Sequence, residues 1–327
     1  MAARNFLWLN QETSFGTPIA SPVNGTSAFY IRESQSNAYT PLMKPVIGQI
    51  AGGNGLSTTV CFYSDGYVFT GTLQGELYAS ISKFLTGWAC TPVNTGRTTP
   101  WTTTDANFVM PPGDLASVSA YRAVLENSGT YKRRRGSGLK VGTATYTASR
   151  QDPVWKYNYN LTGIRDDTNA AGTVADPDAT EFPAPTDSLY SCDPFLFSHT
   201  AGGLKIGSSR TLFDSISITV TNTLTASAWE ARYPQTIAFS GRKVEIQVGL
   251  YRKPSPDDLA SFRALTALDV EVTLFNGTNT LKFDFNTNNR WTDMTEDVPL
   301  DGPLKWTGTI TNAYDTSVGS DFTVAYT

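Results

Sequence analysis

Apolar and polar residues alternate at every second position in several segments, and that period predicts strands. The clearest case lies between Phe213 and Thr266, where Ile216, Ile218 and Val220 alternate with Ser217, Thr219 and Thr221. Val244, Ile246, Val248 and Leu250 then alternate with Glu245, Gln247 and Gly249. Each segment has one buried and one wet face, as in a half-covered antiparallel sheet. Pro254 ends the second strand. Ser255 as N-cap, Pro256 in the first helical position, and Asp257 and Asp258 beside the exposed N–H groups of the first turn predict a short helix. Its packed face is expected to carry Leu259, Phe262 and Leu265.

The same reading places short strands at 28–31, 58–63, 67–73 and 117–124, the middle two about a turn at Ser64-Asp65-Gly66. Leu77, Ile81, Phe84 and Leu85 recur at helical spacing in 76–85, closed by Gly87. Segments 140–148 and 154–161 form a hairpin whose aromatic face carries Trp155, Tyr157 and Tyr159. Asn276-Gly277 joins 270–275 to 281–285 in a tight turn, and 305–311 with 321–326 makes a final pair. Three stretches lack periodicity. Residues 1–23 read as a polar arm, dispensable for folding; 39–55, rich in Pro and Gly, as a long loop; and 166–193 as a linker or surface excursion.

The fold class is therefore mainly β, a sandwich or barrel with short flanking helices. The order of two strands, short helix, strand and terminal hairpin recurs in the two halves, with Leu139-Lys140-Val141 resembling Leu304-Lys305-Trp306. Either the chain is a tandem duplication, or it reuses strand pairs as β-rich proteins do. The first gives β domains at 1–165 and 206–327 with a linker at 166–205; the second gives one domain with a large insertion.

Composition narrows the function. The 327 residues carry a net charge of −4, which disfavours an electrostatic grip on nucleic acid or an acidic membrane. No apolar run is long enough to cross a bilayer, and the N-terminus shows no secretory pattern. Cys61, Cys90 and Cys192 are widely spaced, which fits reduced thiols, although one bridge with a leftover thiol is also compatible. The single histidine, His199, has no nearby Cys or paired carboxylates, so neither a metal site nor a catalytic triad is expected, and no cofactor. Lys132-Arg133-Arg134-Arg135 is the one dense charge run, read as a solvated hairpin tip or as a contact to acidic loops of a neighbouring copy.

Asn10-Gln11-Glu12-Thr13-Ser14-Phe15-Gly16-Thr17 is similar to the polar N-terminal signature of one group of phage tail tube proteins. Phe195-Leu196-Phe197-Ser198-His199 leading to Gly203-Leu204-Lys205-Ile206-Gly207, then 214–222 and 238–251 before a short helix, extend the likeness. The chain thus resembles the major tail proteins of long, non-contractile (siphovirus-type) bacteriophage tails. That resemblance implies a virion structural protein, made in the host cytoplasm, whose β-sandwich closes with sibling copies into rings. The rings stack into a hollow tube that meets tape-measure, tail-terminator and tail-tip proteins, and DNA only in transit. It implies no catalysis, cofactor or membrane anchor. Two domains per chain would make a trimeric ring with pseudo-sixfold symmetry; one domain would need a hexamer. Expected contacts between rings are Glu12, Phe15, Tyr39, Met43, Lys132, Arg133, Arg134 and Arg135, and the expected lumen-facing residues are Thr143, Thr145 and Thr147. A secreted carbohydrate-binding sandwich using Trp155, Tyr157 and Tyr159, another virion role such as a decoration or tail-terminator protein, and a glycoside hydrolase with two opposed carboxylates are the competing readings.

Overall fold

A computed structural model describes residues 5–18, 28–31, 39–51, 57–90, 107–110, 114–125, 131–166, 193–197, 203–207, 209–230, 233–250, 256–297, 305–317 and 319–327. The elements of the first part are β1 (Asn5–Ser14), β2 (Thr17–Pro18), β3 (Ala28–Ile31), β4 (Tyr39–Ala51), β5 (Ser57–Glu76), α1 (Ala79–Cys90), β6 (Asn107–Met110), β7 (Val118–Leu125), β8 (Tyr131–Ser149), β9 (Lys156–Gly163) and β10 (Arg165–Asp166). There follow β11 (Gly203–Ile206), β12 (Ser209–Thr211), β13 (Phe213–Glu230), β14 (Tyr233–Leu250), α2 (Pro256–Ala264), β15 (Val270–Phe275), β16 (Thr280–Asp284), β17 (Asn289–Asp297), β18 (Lys305–Asn312) and β19 (Phe322–Tyr326).

Eight strands lie side by side in the order β4-β5-β9-β8-β13-β14-β18-β17, all antiparallel. The first part of β8 pairs with β7, and β7 with β1, which is joined by β2 and β3. A second sheet, β12-β11-β15-β16-β19-β6, packs on the apolar face of the long run. Alternation explains the sandwich. Ile216, Ile218, Val220, Val244, Ile246 and Val248 all point into the core, joined there by Tyr146 and Tyr159, whose hydroxyls lie 2.6 Å apart. The Tyr146 ring meets Phe283 of the covering sheet at 5.3 Å between centroids. Burial raises the pKa of both tyrosines. Trp155, Tyr157 and Tyr159 are buried as well, so that aromatic face is core and offers nothing for a sugar to stack on.

Several expected elements differ. Residues 39–51 are a strand rather than a loop; Pro41 and Pro45 are accommodated because β4 lies at the edge of the sheet, where a missing N–H is tolerated. β5 passes straight through Ser64-Asp65-Gly66 without turning. α1 runs past Gly87 to Cys90, because its last carbonyls find partners from the second half: Asn222 Nδ2 donates to Ala89 O (2.9 Å) and Arg242 Nη2 to Cys90 O (2.6 Å). The segment 193–197 is no linker, since Phe195 is fully buried and Leu196 bridges Val154 and Phe275. Leu265 is exposed, in a left-handed conformation (φ 51°) just beyond the end of α2. β18 and β19 belong to different sheets and do not pair. The Asn276-Gly277 turn is as expected, with Gly277 at φ 100° and Asn276 Oδ1 accepting from Asn279 N at 2.7 Å.

The strand order contains one pattern twice. A long hairpin (β4-β5, then β13-β14) is followed by a helix and later by a strand pair (β8-β9, then β17-β18) whose second member docks on the second hairpin strand. β9 and β18 each have eight residues with nearly the same inside-outside alternation. Matched from Lys156 and Lys305, they place the bulge at Gly142, between Val141↔Leu161 and Thr143↔Asn160, where β17 has a bulge at Thr292, between Trp291↔Ile310 and Asp293↔Thr309. Bulges re-aim a strand at a fixed point, so their coincidence makes the correspondence specific. α1 packs on β8 as α2 packs on β17. β18 therefore answers to β9, not to the strand beginning at Leu139 that the sequence likeness pairs it with.

Candidate functional site

Opposite the core, the part of the run from β9 to β17 presents a polar face that no described element covers. Thr143, Thr145 and Thr147 lie there, facing Thr221, Thr219 and Ser217 on β13 and Asn160, Asn158 and Lys156 on β9. Asn158, Asn160, Gln247 and Thr307 on the same face are exposed. The face is hollowed. A cavity of about 520 Å³ is bounded by Thr147, Ser217, Gln247 and Thr309, and a neighbouring one of about 310 Å³ by Gln74, Glu76, Thr147 and Asn158. Among the described side chains of this face, the lysines are tied to carboxylates: Lys156 to Asp152, Lys243 to Glu245 at 2.9 Å, and Lys305 to Asp214 at 3.7 Å. Exposed pairs of this kind add little stability, yet they leave the lysine charges locally balanced on a surface otherwise made of hydroxyls and amides.

The second feature is the pair of sheet edges, β4 and β17: among the described residues β4 pairs only with β5, and β17 pairs with β18 and on its other side only at Asn289, which exchanges backbone hydrogen bonds with Leu268. Tyr39 and Met43 lie on β4, opposite Gly71 and Tyr67 of β5. Both long hairpins outrun the sheet as two-stranded ribbons, since β5 pairs with β9 only from Phe69 onward and β13 pairs with β8 only up to Thr221.

The N-terminal signature is built into the subunit rather than laid over it. Leu7 and Leu9 of β1 are fully buried, so the expectation of a dispensable arm is corrected. Glu12 is 6% exposed, and its carboxylate accepts from Ser119 Oγ (2.6 Å), Gly138 N (2.8 Å) and Gly16 N (2.8 Å). A buried carboxylate requires such donors. Gly16 and Gly138 have φ of 76° and 65°, and a Cβ on Gly138 would sit 2.1 Å from Ile164, so both backbone N–H groups approach only because the residues are glycine. Phe15 lies by the same turn, 5.1 Å from Lys140 Nζ, which also donates to Ile237 O at 2.7 Å and to Asp114 at 2.6 Å. The polar residues of the signature show no period, which points to a contact surface; the inward Glu12 carboxylate has no local pattern that would mark it.

Lys132, Arg133, Arg134 and Arg135 lie in β8 itself, opposite Val124, Ala123, Arg122 and Tyr121 of β7, rather than at a hairpin tip. Cys90 is buried at the end of α1, and burial pushes its thiol up to about 12, so it is inert. His199, Cys192 and the side chain of Cys61 lie outside the described residues. Among the described residues, no three His, Cys, Asp or Glu side chains gather as a metal site would require, and no helix is long and apolar enough to cross a membrane.

A family model described as phage tail tube protein matches residues 2–321. No individually curated protein matches the chain. The mainly β sandwich, the hollowed polar face opposite its core and a match over nearly the whole length lead to one conclusion: the chain belongs to the phage tail tube protein family.

Proposed function

We propose that this chain is the major tail protein of a siphovirus-type phage, and that three copies form each ring of its tail tube. The observation that carries this reading is the eight-strand run, composed of two like units, with one polar uncovered face and two open edges. Joining three such runs edge to edge closes the β4 and β17 edges of each run and turns the polar faces toward a common axis. Thr143, Thr145 and Thr147 then line the bore. Rings stack through the protruding β4-β5 and β13-β14 ribbons, with Tyr39 and Met43 near the first of them. The basic run at Lys132–Arg135 meets a neighbouring copy, and Phe15 and Glu12 act beneath that surface by fixing the turn. If only one unit lined the bore, six chains would be required. Tape-measure, terminator and tip proteins meet the tube at its axis and ends, and DNA passes through without being held, because balanced charges and hydroxyls give phosphate no cationic track.

Adding such a track tests the bore assignment. Thr145 and Thr219 face one another across β8 and β13. Virions carrying Thr145→Lys with Thr219→Lys are expected to build tails of normal length but to release DNA several-fold more slowly at low salt, the difference closing as salt rises. Normal tails with unchanged release at low salt would contradict a lumenal position for this face.

A further inference from the structure

The duplicated strand order contains a template for the joint between subunits. Inside the chain the two units meet where β8 pairs with β13, and by the correspondence above β17 answers to β8 while β4 answers to β13. We propose that the β17 edge of one chain pairs with the β4 edge of the next in the register already used between β8 and β13. This rests on the tube reading and goes beyond it by naming the residues that meet.

The register follows from the pairings. Thr143 and Asp293 occupy equivalent places, since they face Asn160 and Thr309 beyond equivalent bulges; hence Ala144 matches Met294, Thr145 matches Thr295 and Tyr146 matches Glu296. On the other side, Phe69 faces Gly163 as Val244 faces Asn312, so Phe69 matches Val244. Pro41 faces Phe69 and Val220 faces Val244, so Pro41 matches Val220, Thr40 matches Thr219 and Tyr39 matches Ile218. Within the chain Thr145 faces Thr219, Ala144 faces Val220 and Tyr146 faces Ile218. Between chains, therefore, Thr295 faces Thr40, Met294 faces Pro41 and Glu296 faces Tyr39.

Two features of the sequence agree with this register. It sets a threonine opposite a threonine at the joint between chains, as at the joint within the chain, and it sets apolar Met294 opposite apolar Pro41, which has no N–H to give the ladder, where Ala144 meets Val220. A slip by one residue would put the polar positions of one strand beside the core positions of the other. Glu296 is the departure from the internal joint, where Tyr146 stands.

Cysteine pairs in the full-length chain test this. Tubes are assembled under reducing conditions, checked by electron microscopy, oxidised and run on non-reducing gels. Thr40→Cys with Thr295→Cys, and separately Tyr39→Cys with Glu296→Cys, are expected to give covalent species of two and three chains. Adjacent pairs alternate in hydrogen bonding, so one of these double variants links faster than the other. Thr40→Cys with Asp293→Cys, shifted by two residues along the same face, places the Cβ atoms roughly 7 Å apart and is expected to stay at the background set by the single variants and the native cysteines. Intact tubes in which neither expected pair links, or in which the shifted pair links better, overturn the register and leave the tube reading standing. Absence of tubes from the unsubstituted chain overturns the tube reading itself.

Discussion

Ile246→Asp is expected to leave no soluble folded protein. Ile246 is fully buried, with Ile218 beside it on β13 and Ile310 on β18. All three lie on the face covered by the second sheet, and no donor stands ready for a carboxylate. An unpaired charge there costs several kcal/mol even after relaxation, and the lost isoleucine adds about 2–5 kcal/mol, against a typical total stability of about 5–15 kcal/mol. Gln247, the next residue, is exposed on the opposite face, so Gln247→Asp is expected to change stability by no more than about 0.5 kcal/mol. Soluble yield, circular dichroism and urea unfolding of the two variants measure the contrast. Native behaviour of Ile246→Asp with loss of folding in Gln247→Asp would mean that the faces are reversed.

The second large effect concerns Glu12. Glu12→Ala removes the acceptor for Gly16 N, Gly138 N and Ser119 Oγ together. Hydrogen bonds to a charged group contribute about 1.5–3 kcal/mol each, and donors left buried add their own penalty, so a loss on the order of 4 kcal/mol is expected. Glu12→Gln keeps the shape and one acceptor oxygen but turns an amide donor toward other donors, and is expected to lose about half as much. Urea midpoints at constant m-value give both numbers. Equal stability of all three proteins would show that the carboxylate is not seated on these donors. Removing 1–23 would delete β1 with Leu7 and Leu9, so the truncated chain is expected to unfold rather than merely to stack poorly.

Where one face is apolar, as in Ile216-Ser217-Ile218-Thr219-Val220 and Tyr157-Asn158-Tyr159-Asn160-Leu161, the sequence was enough to assign both the strand and its orientation, and the polar set Thr143, Thr145 and Thr147 fell on the uncovered face with it. β4 was illegible because an edge strand tolerates Pro41 and Pro45, which read as loop. β17 was missed altogether, since the bulge at Thr292 interrupts its alternation and edge exposure allows Thr295 and Glu296. The role of Glu12 depends on Ser119 and Gly138, more than a hundred residues away in sequence, and no local pattern announces such a partnership. The order of elements read from the sequence differs from the one in the fold, since 58–63 and 67–73 are one strand and β18 does not pair with β19; the residue correspondence comes from register and bulge position rather than from shared residues.

Two like sheet units in each chain are expected to let three copies enclose a polar bore. A cryo-electron microscopy reconstruction of tubes assembled from the purified chain decides this. The expected map shows three chains per ring, an uninterrupted inner barrel crossing each boundary from β17 to β4, and Thr143, Thr145 and Thr147 facing the lumen. A ring of six chains, or an inner wall built from the covering sheet, would contradict it.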